Sequence, residues 1–316
     1  KLLLRFKSYI LIFKLKLKGA LAPFFLQRFM YKFIFTFLFA SIAWNANAEL
    51  TDYEFEDWAG ASLPTFVAKP NKINAETRLV VVMHGRKRNA EEYRDQWVKA
   101  SQELNLLVIV PEFSEESFPE VWGFNYGNIK TKNLDPIEQD LHAFMAIEPL
   151  ANNALKKFKI KSENWGIYGH GAGAHFVHRF VLHHPQASYT LAIAANLGWY
   201  LSMSDQEWPF GLTNSNIDDA KLRQAFSKYF LLMLGRADTS TKPNTPYVAD
   251  HWDIINLQGE HRLARGRNFF KSAVAKSKEV NQFFKWGMVE VPTTKGHSNT
   301  EQMVPYAAEM FYARLK

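Results

Sequence analysis

The chain has 316 residues, 47% of them hydrophobic and 15% aromatic, a composition typical of a globular protein and not of a disordered or fibrous one. Of its 38 Lys and Arg residues, eight lie in residues 1–48, which hold no acidic residue, and the other 30 face all 31 acidic residues. The net charge of +7 therefore belongs to the N-terminal end, and it gives no reason to expect nucleic-acid binding.

Residues 30–48 have the pattern of a secretory signal peptide. A charged start precedes an apolar stretch over 33–43, and the small residues of 46–48 predict cleavage before Glu49. The alternative, a transmembrane anchor, is disfavoured because the apolar run is shorter than the about 20 residues that a span needs. We expect an exported protein, periplasmic or secreted, with no stable membrane anchor after cleavage.

The segments on either side of this signal differ in character. Residues 1–29 are basic and leucine-rich, and we interpret them as upstream sequence foreign to the native protein or as a disordered segment. The alternative is a basic amphipathic segment on a membrane surface. Residues 49–316 contain no repeat, low-complexity tract or linker, so we predict one domain there.

Apolar strands alternate with helical periods through the predicted domain. Uninterrupted apolar runs predict strands at 78–83 and 106–110, since a strand buried on both faces shows no polar alternation. Further strands are predicted at 65–69, 164–168, 190–195, 229–234 and 283–291. Helices are predicted at 90–104, 135–157, 172–184, 217–228, 259–278 and 299–315. This alternation predicts an α/β fold with a mostly parallel central sheet and helices on both faces.

Ligands of open parallel sheets bind at the carboxyl ends of the strands, so the residues that follow each strand are candidates for a site. His84-Gly85-Arg86 follows one strand, and the glycine-flanked turn Gly169-His170-Gly171-Ala172-Gly173 joins a strand to a helix. Asp238 follows the strand at 229–234, and His297 follows the last strand. In this order of turn, acid and histidine, the chain resembles the α/β-hydrolase superfamily over essentially all of 49–316.

Within that superfamily the chain is most similar to exported serine esterases grouped with polyhydroxybutyrate depolymerases and feruloyl esterases. The pointers are His84-Gly85 with Tyr93-Arg94-Asp95 downstream, the Gly-His-x-Ala-Gly form of the turn, and Gly296-His297-Ser298. The resemblance implies the α/β-hydrolase fold and carboxylic-ester hydrolysis without a cofactor or a metal.

The same resemblance implies roles for individual residues. Asp238 would be the acid and His297 the general base, since a carboxylate on an imidazole fixes its tautomer and stabilises the imidazolium. Asp250 and Asp253 are the reserve candidates for the acid. The oxyanion hole would use the backbone N–H groups of Arg86 and Ala172.

Gly171 stands where this pattern has the nucleophilic serine, and without a side-chain oxygen it can form no acyl-enzyme. Three interpretations remain open: natural loss that leaves a binding protein or a very weak enzyme, a sequence error or strain variant, and a replacement nucleophile or direct water attack. We expect esterase activity far below that of a serine-bearing relative. The alternative function is non-catalytic binding of an acyl, aromatic or anionic ligand in the former active-site pocket.

A small-molecule ester or acyl ligand needs a pocket wall, and the aromatic residues Trp122, Trp199 and Tyr200 are predicted to contact it. The segment 196–216 lacks clear periodicity and is the best candidate for a lid or pocket wall.

Two clusters of side chains have simpler interpretations. His175 and His178 share a helix face and could bind a metal, but the Glu of a zincin motif is missing, so no metal site is predicted. Arg262, Arg265 and Arg267 are interpreted as a solvated or salt-bridged helix face.

Overall fold

The computed structural model describes residues 52–315. The upstream segment predicted at 1–29 and the signal peptide predicted at 30–48 lie outside the described residues. From residue 52 to residue 315, no helix combines the length and the apolar character that crossing a membrane requires.

Eight strands form one sheet, and most of them are parallel. The strands are β1 (Tyr53–Phe55), β2 (Leu63–Ala68), β3 (Arg78–Met83), β4 (Leu106–Pro111), β5 (Trp165–His170), β6 (Leu191–Ala195), β7 (Phe230–Gly235) and β8 (Trp286–Val291). Their order in the sheet is β1-β2-β4-β3-β5-β6-β7-β8. Only the pairings of β2 with β1 and with β4 are antiparallel. The prediction of a mostly parallel sheet is confirmed.

Helices cover both faces of the sheet, as the alternating pattern predicts. They are α1 (Ala90–Leu104), α2 (Glu120–Gly123), α3 (Ile147–Lys157), α4 (Ala172–His183), α5 (Asp219–Ser227), α6 (Pro246–Asp250), α7 (Trp252–Leu257), α8 (Arg262–Glu279) and α9 (Thr300–Arg314). One apolar cluster, with Trp97, Tyr168 and Phe311, lies under α1 and α9. A larger cluster on the opposite face includes Phe176 of α4 and Phe269 of α8.

The region before α3 differs from its prediction. A single helix over 135–157 was expected, but the helix starts only at Ile147, after two 3₁₀ turns at Gln139–Leu141 and Ala143–Ala146. Pro136 instead pairs with Lys130 in an isolated antiparallel bridge. The helix prediction was wrong for 135–146 because this chain segment folds back on itself, an arrangement that helical periodicity does not reveal.

Smaller differences concern short elements. The strand β1 and the helices α2, α6 and α7 were not predicted, and the last strand begins at Trp286 and not at Phe283. A strand of three residues and helices of four to six residues carry too little periodicity to be recognised from one sequence. The parallel strands, which bring the candidate residues to one sheet edge, lie close to their predicted bounds.

Candidate active site

Gly171 occupies the turn between β5 and α4, where its backbone has φ 57° and ψ −112°. Glycine adopts a positive φ freely, whereas a residue with a Cβ is strained there. The flanking glycines are required for a different reason, namely close packing. A Cβ on Gly169 would overlap the Gly173 carbonyl, and a Cβ on Gly173 would overlap the Met83 carbonyl of β3. These glycines therefore allow the start of α4 to approach both strands closely.

The turn directs Gly171 toward the imidazole of His297. A Cβ built on Gly171 would lie 3.3 Å from His297 Nε2 and 3.5 Å from His297 Cε1. Apart from the neighbours of Gly171 in the chain, no other atom of residues 52–315 would lie within 4 Å of it. The first side-chain atom at this position would thus contact only the histidine.

His297 and Asp238 are brought together because they follow the adjacent parallel strands β8 and β7. His297 Nδ1 lies 2.9 Å from Asp238 Oδ2, and since a carboxylate only accepts, Nδ1 donates and Nε2 faces Gly171. Burial raises the pKa of Asp238, but the hydrogen bond from His297 and the charges of His297 and Arg262 outweigh it and lower the pKa. The reserve candidates Asp250 and Asp253 make no such contact among the described residues.

Arg262 contacts the second oxygen of the same carboxylate. Its Nη1 lies 3.4 Å from Asp238 Oδ1, and its side chain is only 8% exposed. The guanidinium Nε has no hydrogen-bond partner within residues 52–315. The prediction was a solvated or salt-bridged helix face: Arg267 pairs with Glu290 at the surface, and Arg262 is salt-bridged although it is buried. Arg265 differs from the prediction, because it is buried and donates to the carbonyls of Gly259 and Gly198. Helical spacing alone did not reveal which of these arginines faces inward.

The loop after β3 is held by His84, which is fully buried. The Phe113 N–H donates to His84 Nε2 at 3.0 Å, so His84 Nδ1 carries the proton and donates to the Gly85 carbonyl at 2.9 Å. Burial lowers the pKa of His84 to about 3, so the ring stays neutral. The N–H groups of Arg86 and Ala172 have no acceptor in the part of the chain that the structure describes, and both residues line one cavity.

A buried layer of polar side chains connects the strand ends beneath Asp238 and His297. Asn196, after β6, accepts the Gly235 N–H at 2.6 Å and donates to Asn299 Oδ1 at 2.7 Å. Asn299 Oδ1 also accepts from His170 Nε2 at 2.9 Å. The His170 ring stacks on His297 with centroids 5.3 Å apart. Sequence reasoning missed both asparagines, because no local pattern distinguishes them from loop residues.

A cavity of about 830 Å³ opens above these groups, a size within the usual range of small-molecule sites. Gly171, His297 and Arg262 lie in its wall. Its aromatic side is formed by Trp199 and Tyr247, whose rings stack with centroids 5.4 Å apart. Tyr247 was not predicted, since it lies in the short helix α6 inside a polar loop.

Of the three aromatic residues predicted to line the pocket, only one lines this cavity. Trp199 lines it, but Tyr200, the next residue, points away, is fully buried and stacks on Phe269. Trp122 packs against Trp208 and is absent from the cavity wall. The predicted lid or pocket wall, 196–216, is buried at 196–201 and 208–211 and exposed at Ser204, Asp205 and Glu207, and only its residues 198 and 199 line the cavity.

The histidines of α4 also lie in packed surroundings. His175 Nε2 accepts the Gly198 N–H at 3.1 Å, and His178 lies between the rings of Tyr200 and Phe269. Between residues 52 and 315, no group of three or more metal-ligating side chains is arranged to hold a metal ion.

Comparison with known proteins identifies similar solved structures. The poly(aspartic acid) hydrolase-1 from Sphingomonas sp. KT-1 is 35% identical, with a TM-score of 0.76 over 83% of this chain and 97% of that chain. A poly(3-hydroxybutyrate) depolymerase from Bordetella parapertussis is 26% identical, with a TM-score of 0.75 over 85% and 96%. No protein-family model and no curated protein matches the chain.

A more distant likeness concerns the fold alone. An S-formylglutathione hydrolase from Agrobacterium tumefaciens is 14% identical, with a TM-score of 0.53 over 84% of this chain and 95% of that chain. Together with the parallel sheet and its covering helices, these structures confirm the predicted α/β-hydrolase fold.

Proposed function

Because the chain belongs to the α/β-hydrolase family of poly(aspartic acid) hydrolase-1, we propose that its site derives from a serine carboxylic-ester hydrolase, with Gly171 at the nucleophile position. One observation carries this proposal. A Cβ on Gly171 would lie 3.3 Å from His297 Nε2, whose ring is held from the other side by Asp238 at 2.9 Å. An oxygen on that Cβ would be within hydrogen-bond reach of the base.

A serine at 171 would allow acyl transfer by a two-step route. The hydroxyl would attack the ester carbonyl carbon while His297 Nε2 takes its proton, and Asp238 would stabilise the imidazolium. The amides of Arg86 and Ala172 would hold the oxyanion, and His297 would return the proton to the leaving alcohol. A water molecule would then release the acid by the same steps.

With glycine at 171 this route has no nucleophile, so we propose that the protein as it stands is an impaired enzyme or inactive. A site stripped of one triad member can still accelerate a reaction by about 10³–10⁴ over the uncatalysed rate. Low activity therefore agrees with the proposal, and ordinary esterase rates contradict it.

We propose a small acyl ester as the substrate. The cavity wall carries cationic and acidic side chains in similar number, which gives no net attraction for a polyanion. The cations are Arg86, Lys87, Arg88, Lys132, Arg262 and Lys295, and the acids are Glu92, Glu115, Glu120, Asp250 and Glu301. Trp199 and Tyr247 offer an apolar surface for the acyl or alcohol group.

The second candidate is a binding protein without turnover for an acyl, aromatic or anionic ligand. It is favoured by the free N–H groups of Arg86 and Ala172, the latter at the N-terminus of α4, where backbone donors and the helix dipole attract anions. A ligand that binds in the cavity and is released unchanged would support it.

We also propose that the protein is exported, on the strength of the signal-peptide pattern at 30–48 alone. Expression of the full chain in a bacterial host, followed by N-terminal sequencing of the periplasmic fraction, tests this. A new N-terminus at Glu49 is expected, and retention of the uncleaved chain in the cytoplasm would contradict export.

The Gly171→Ser variant tests the proposed function. We expect it to hydrolyse short p-nitrophenyl esters at least about tenfold faster than the unaltered protein, and to be labelled by a fluorophosphonate probe. The matched control is Gly171→Ala, which adds the Cβ without the oxygen and carries the same backbone strain of about 1–3 kcal/mol. Activity in Gly171→Ser but not in Gly171→Ala supports the proposal. A folded, inert and unlabelled Gly171→Ser protein would refute it.

A further inference from the structure

Gly171 leaves open space beside an acid and base that are otherwise complete. Within residues 52–315 and outside the adjoining residues, only His297 would come within 4 Å of a Cβ at this position. We propose that a water molecule attacks the ester directly from this space, with His297 as its base, so that hydrolysis occurs in one step without an acyl-enzyme. This inference rests on the proposed function and identifies its nucleophile.

The geometry permits such an attack but places the water differently from a serine oxygen. A serine oxygen is two bonds from Cα, at roughly 2.4 Å, whereas a non-bonded oxygen stays about 3.5 Å from that carbon. The water therefore lies about 1 Å farther from the turn, on the side where His297 Nε2 is located. Because a misplacement of about 1 Å can cost about 10²-fold in rate, the reaction is slow.

The step balances without any further reactant. The water oxygen forms a bond to the ester carbonyl carbon while one water proton moves to His297 Nε2, and Asp238 stabilises the imidazolium. The carbonyl oxygen becomes an anion held by the amides of Arg86 and Ala172. The bond from carbon to the alcohol oxygen then breaks, and that oxygen takes the proton from Nε2. The products are the acid and the alcohol, with His297 neutral again.

The hydroxyl groups near His297 are poorly arranged to replace the serine. Thr300 Oγ1 lies 3.2 Å from His170 Nδ1, so it is held by a histidine other than His297. Ser298 lines the cavity but makes no hydrogen bond to His297 in the described part of the chain. Without contact to the base, a hydroxyl is not activated at neutral pH. These contacts favour water over both side chains.

Hydroxylamine distinguishes one-step attack from an acyl-enzyme. The experiment measures kcat/KM for p-nitrophenol release from p-nitrophenyl acetate at increasing hydroxylamine concentrations. In the unaltered protein we expect kcat/KM to rise with hydroxylamine, because the small nucleophile takes part in the first step. In Gly171→Ser we expect kcat/KM to stay constant, because acylation of the serine precedes the encounter with hydroxylamine.

Two variants serve as controls. His297→Ala removes the base, so its rate gives the background of buffer and hydroxylamine in solution. Gly171→Ala places a methyl group 3.3 Å from His297 Nε2, where it excludes the water. We expect Gly171→Ala to fall to the level of His297→Ala, although its triad acid and base are untouched.

The outcomes separate this inference from the proposed function. A burst of p-nitrophenol equal to the protein concentration, or fluorophosphonate labelling of the unaltered protein, overturns one-step attack; loss of that label in Ser298→Ala would identify the nucleophile. Turnover no faster than that of His297→Ala also overturns it, even where Gly171→Ser gains activity and the proposed function stands. An inert Gly171→Ser counts against the proposed function itself.

Discussion

The turn at Gly171 and the loops that carry Asp238 and His297 meet at one edge of the sheet. The turn contributes a backbone geometry, whereas the loops contribute ionisable side chains. The turn keeps its backbone geometry, with a positive φ at Gly171 and two flanking glycines in close contact, and has no reactive side chain. The loops keep a buried carboxylate, an imidazole hydrogen-bonded to it at 2.9 Å and an arginine on the second oxygen. The chemical groups and the backbone that would position a nucleophile are thus maintained separately.

The packing of the fold constrains the glycines beside residue 171, but it does not constrain the side chain of residue 171 itself. The close approach of α4 to β3 and β5 depends on Gly169 and Gly173, and it is independent of the side chain at 171. Likewise, Asp238 and His297 are held by the register of β7 and β8 and by the polar layer below. The residue at 171 can therefore differ without disturbing the site around it.

The largest effect is expected when His297 is removed from a protein that has a serine introduced at position 171. Adding His297→Ala to Gly171→Ser should lower kcat/KM for p-nitrophenyl esters by about 10³–10⁴, because within residues 52–315 and outside the adjoining residues no other base lies within 4 Å of a Cβ at 171. The control His142→Ala, whose ring bonds to the Ile137 carbonyl away from the cavity, should leave the rate within about twofold. A His297→Ala double variant that keeps most of its activity would show that the base lies elsewhere.

Acid should destabilise the protein, because His84, after β3, and His170, in the turn before Gly171, are both buried and neutral. Burial lowers the pKa of His84, and burial together with the charge of His297 lowers the pKa of His170, each to about 3. Since the unfolded chain binds protons near pH 6.5 and the folded chain does not, stability falls as the pH drops below 6.5. These two rings alone should cost about 3 kcal/mol between pH 7.5 and pH 5.5.

Urea unfolding at the two pH values measures this cost. The His170→Gln variant is the control, because it removes one of the two titrating rings and should reduce the pH-dependent loss by about 1.4 kcal/mol. A free energy of unfolding that is the same at pH 7.5 and pH 5.5 would show that the rings titrate alike in both states.

The fold was largely predictable because several of its parallel strands are uninterrupted apolar runs, the pattern of strands buried on both faces, and helical periods separate them. The runs at 78–83 and 106–110 coincide with β3 and β4 almost residue for residue. The segment 135–146 was not predictable, since its apolar residues have helical spacing while Pro136 pairs with Lys130 across a turn at 131–135. Which of two adequate local structures forms there is decided by tertiary contacts.

The site, like the fold, was predictable only in part. The pairing of Asp238 with His297 was predicted from the resemblance to the α/β-hydrolase superfamily, and in the structure both residues follow the adjacent parallel strands β7 and β8. The inward orientation of Arg262 and the wall position of Tyr247 depend on how α8 and α6 rotate against the sheet, which one sequence does not record. Trp199 and Tyr200 were predicted alike, although consecutive side chains here face different cavities.

A smaller effect is expected from a substitution at Gly173, one of the glycines that let α4 approach β3. Gly173→Ala should lower the free energy of unfolding by about 1–3 kcal/mol, because its methyl group would overlap the Met83 and His84 carbonyls. The matched change Gly296→Ala, whose Cβ would find its nearest neighbour at 3.7 Å, should stay within about 0.5 kcal/mol. Urea unfolding of both variants measures the difference. Equal stability of the two would mean that α4 can shift away from β3 at little cost.

The smallest effect is expected from replacing Arg262, which acts on the Asp238–His297 pair through its contact with Asp238. Its charge helps to lower the pKa of Asp238, so Arg262→Met should raise that pKa. In the Gly171→Ser background, loss of this charge should favour protonation of the hydrogen-bonded Asp238–His297 pair, so the acid-side midpoint of the kcat/KM profile should move to higher pH by up to about one unit. Arg262→Lys keeps the charge and should restore most of the midpoint.

Arg267→Met provides the matched control on the same helix. Arg267 pairs with Glu290 at the surface, far enough from Asp238 that it does not contribute to the pKa of that carboxyl. Its removal should leave the midpoint unchanged. An equal shift in both variants would mean that the pH profile responds to the net charge of α8, and a shift in neither would mean that the bond from His297 alone sets the ionisation of Asp238. Only a shift confined to Arg262→Met makes Arg262 a positioning residue of the acid.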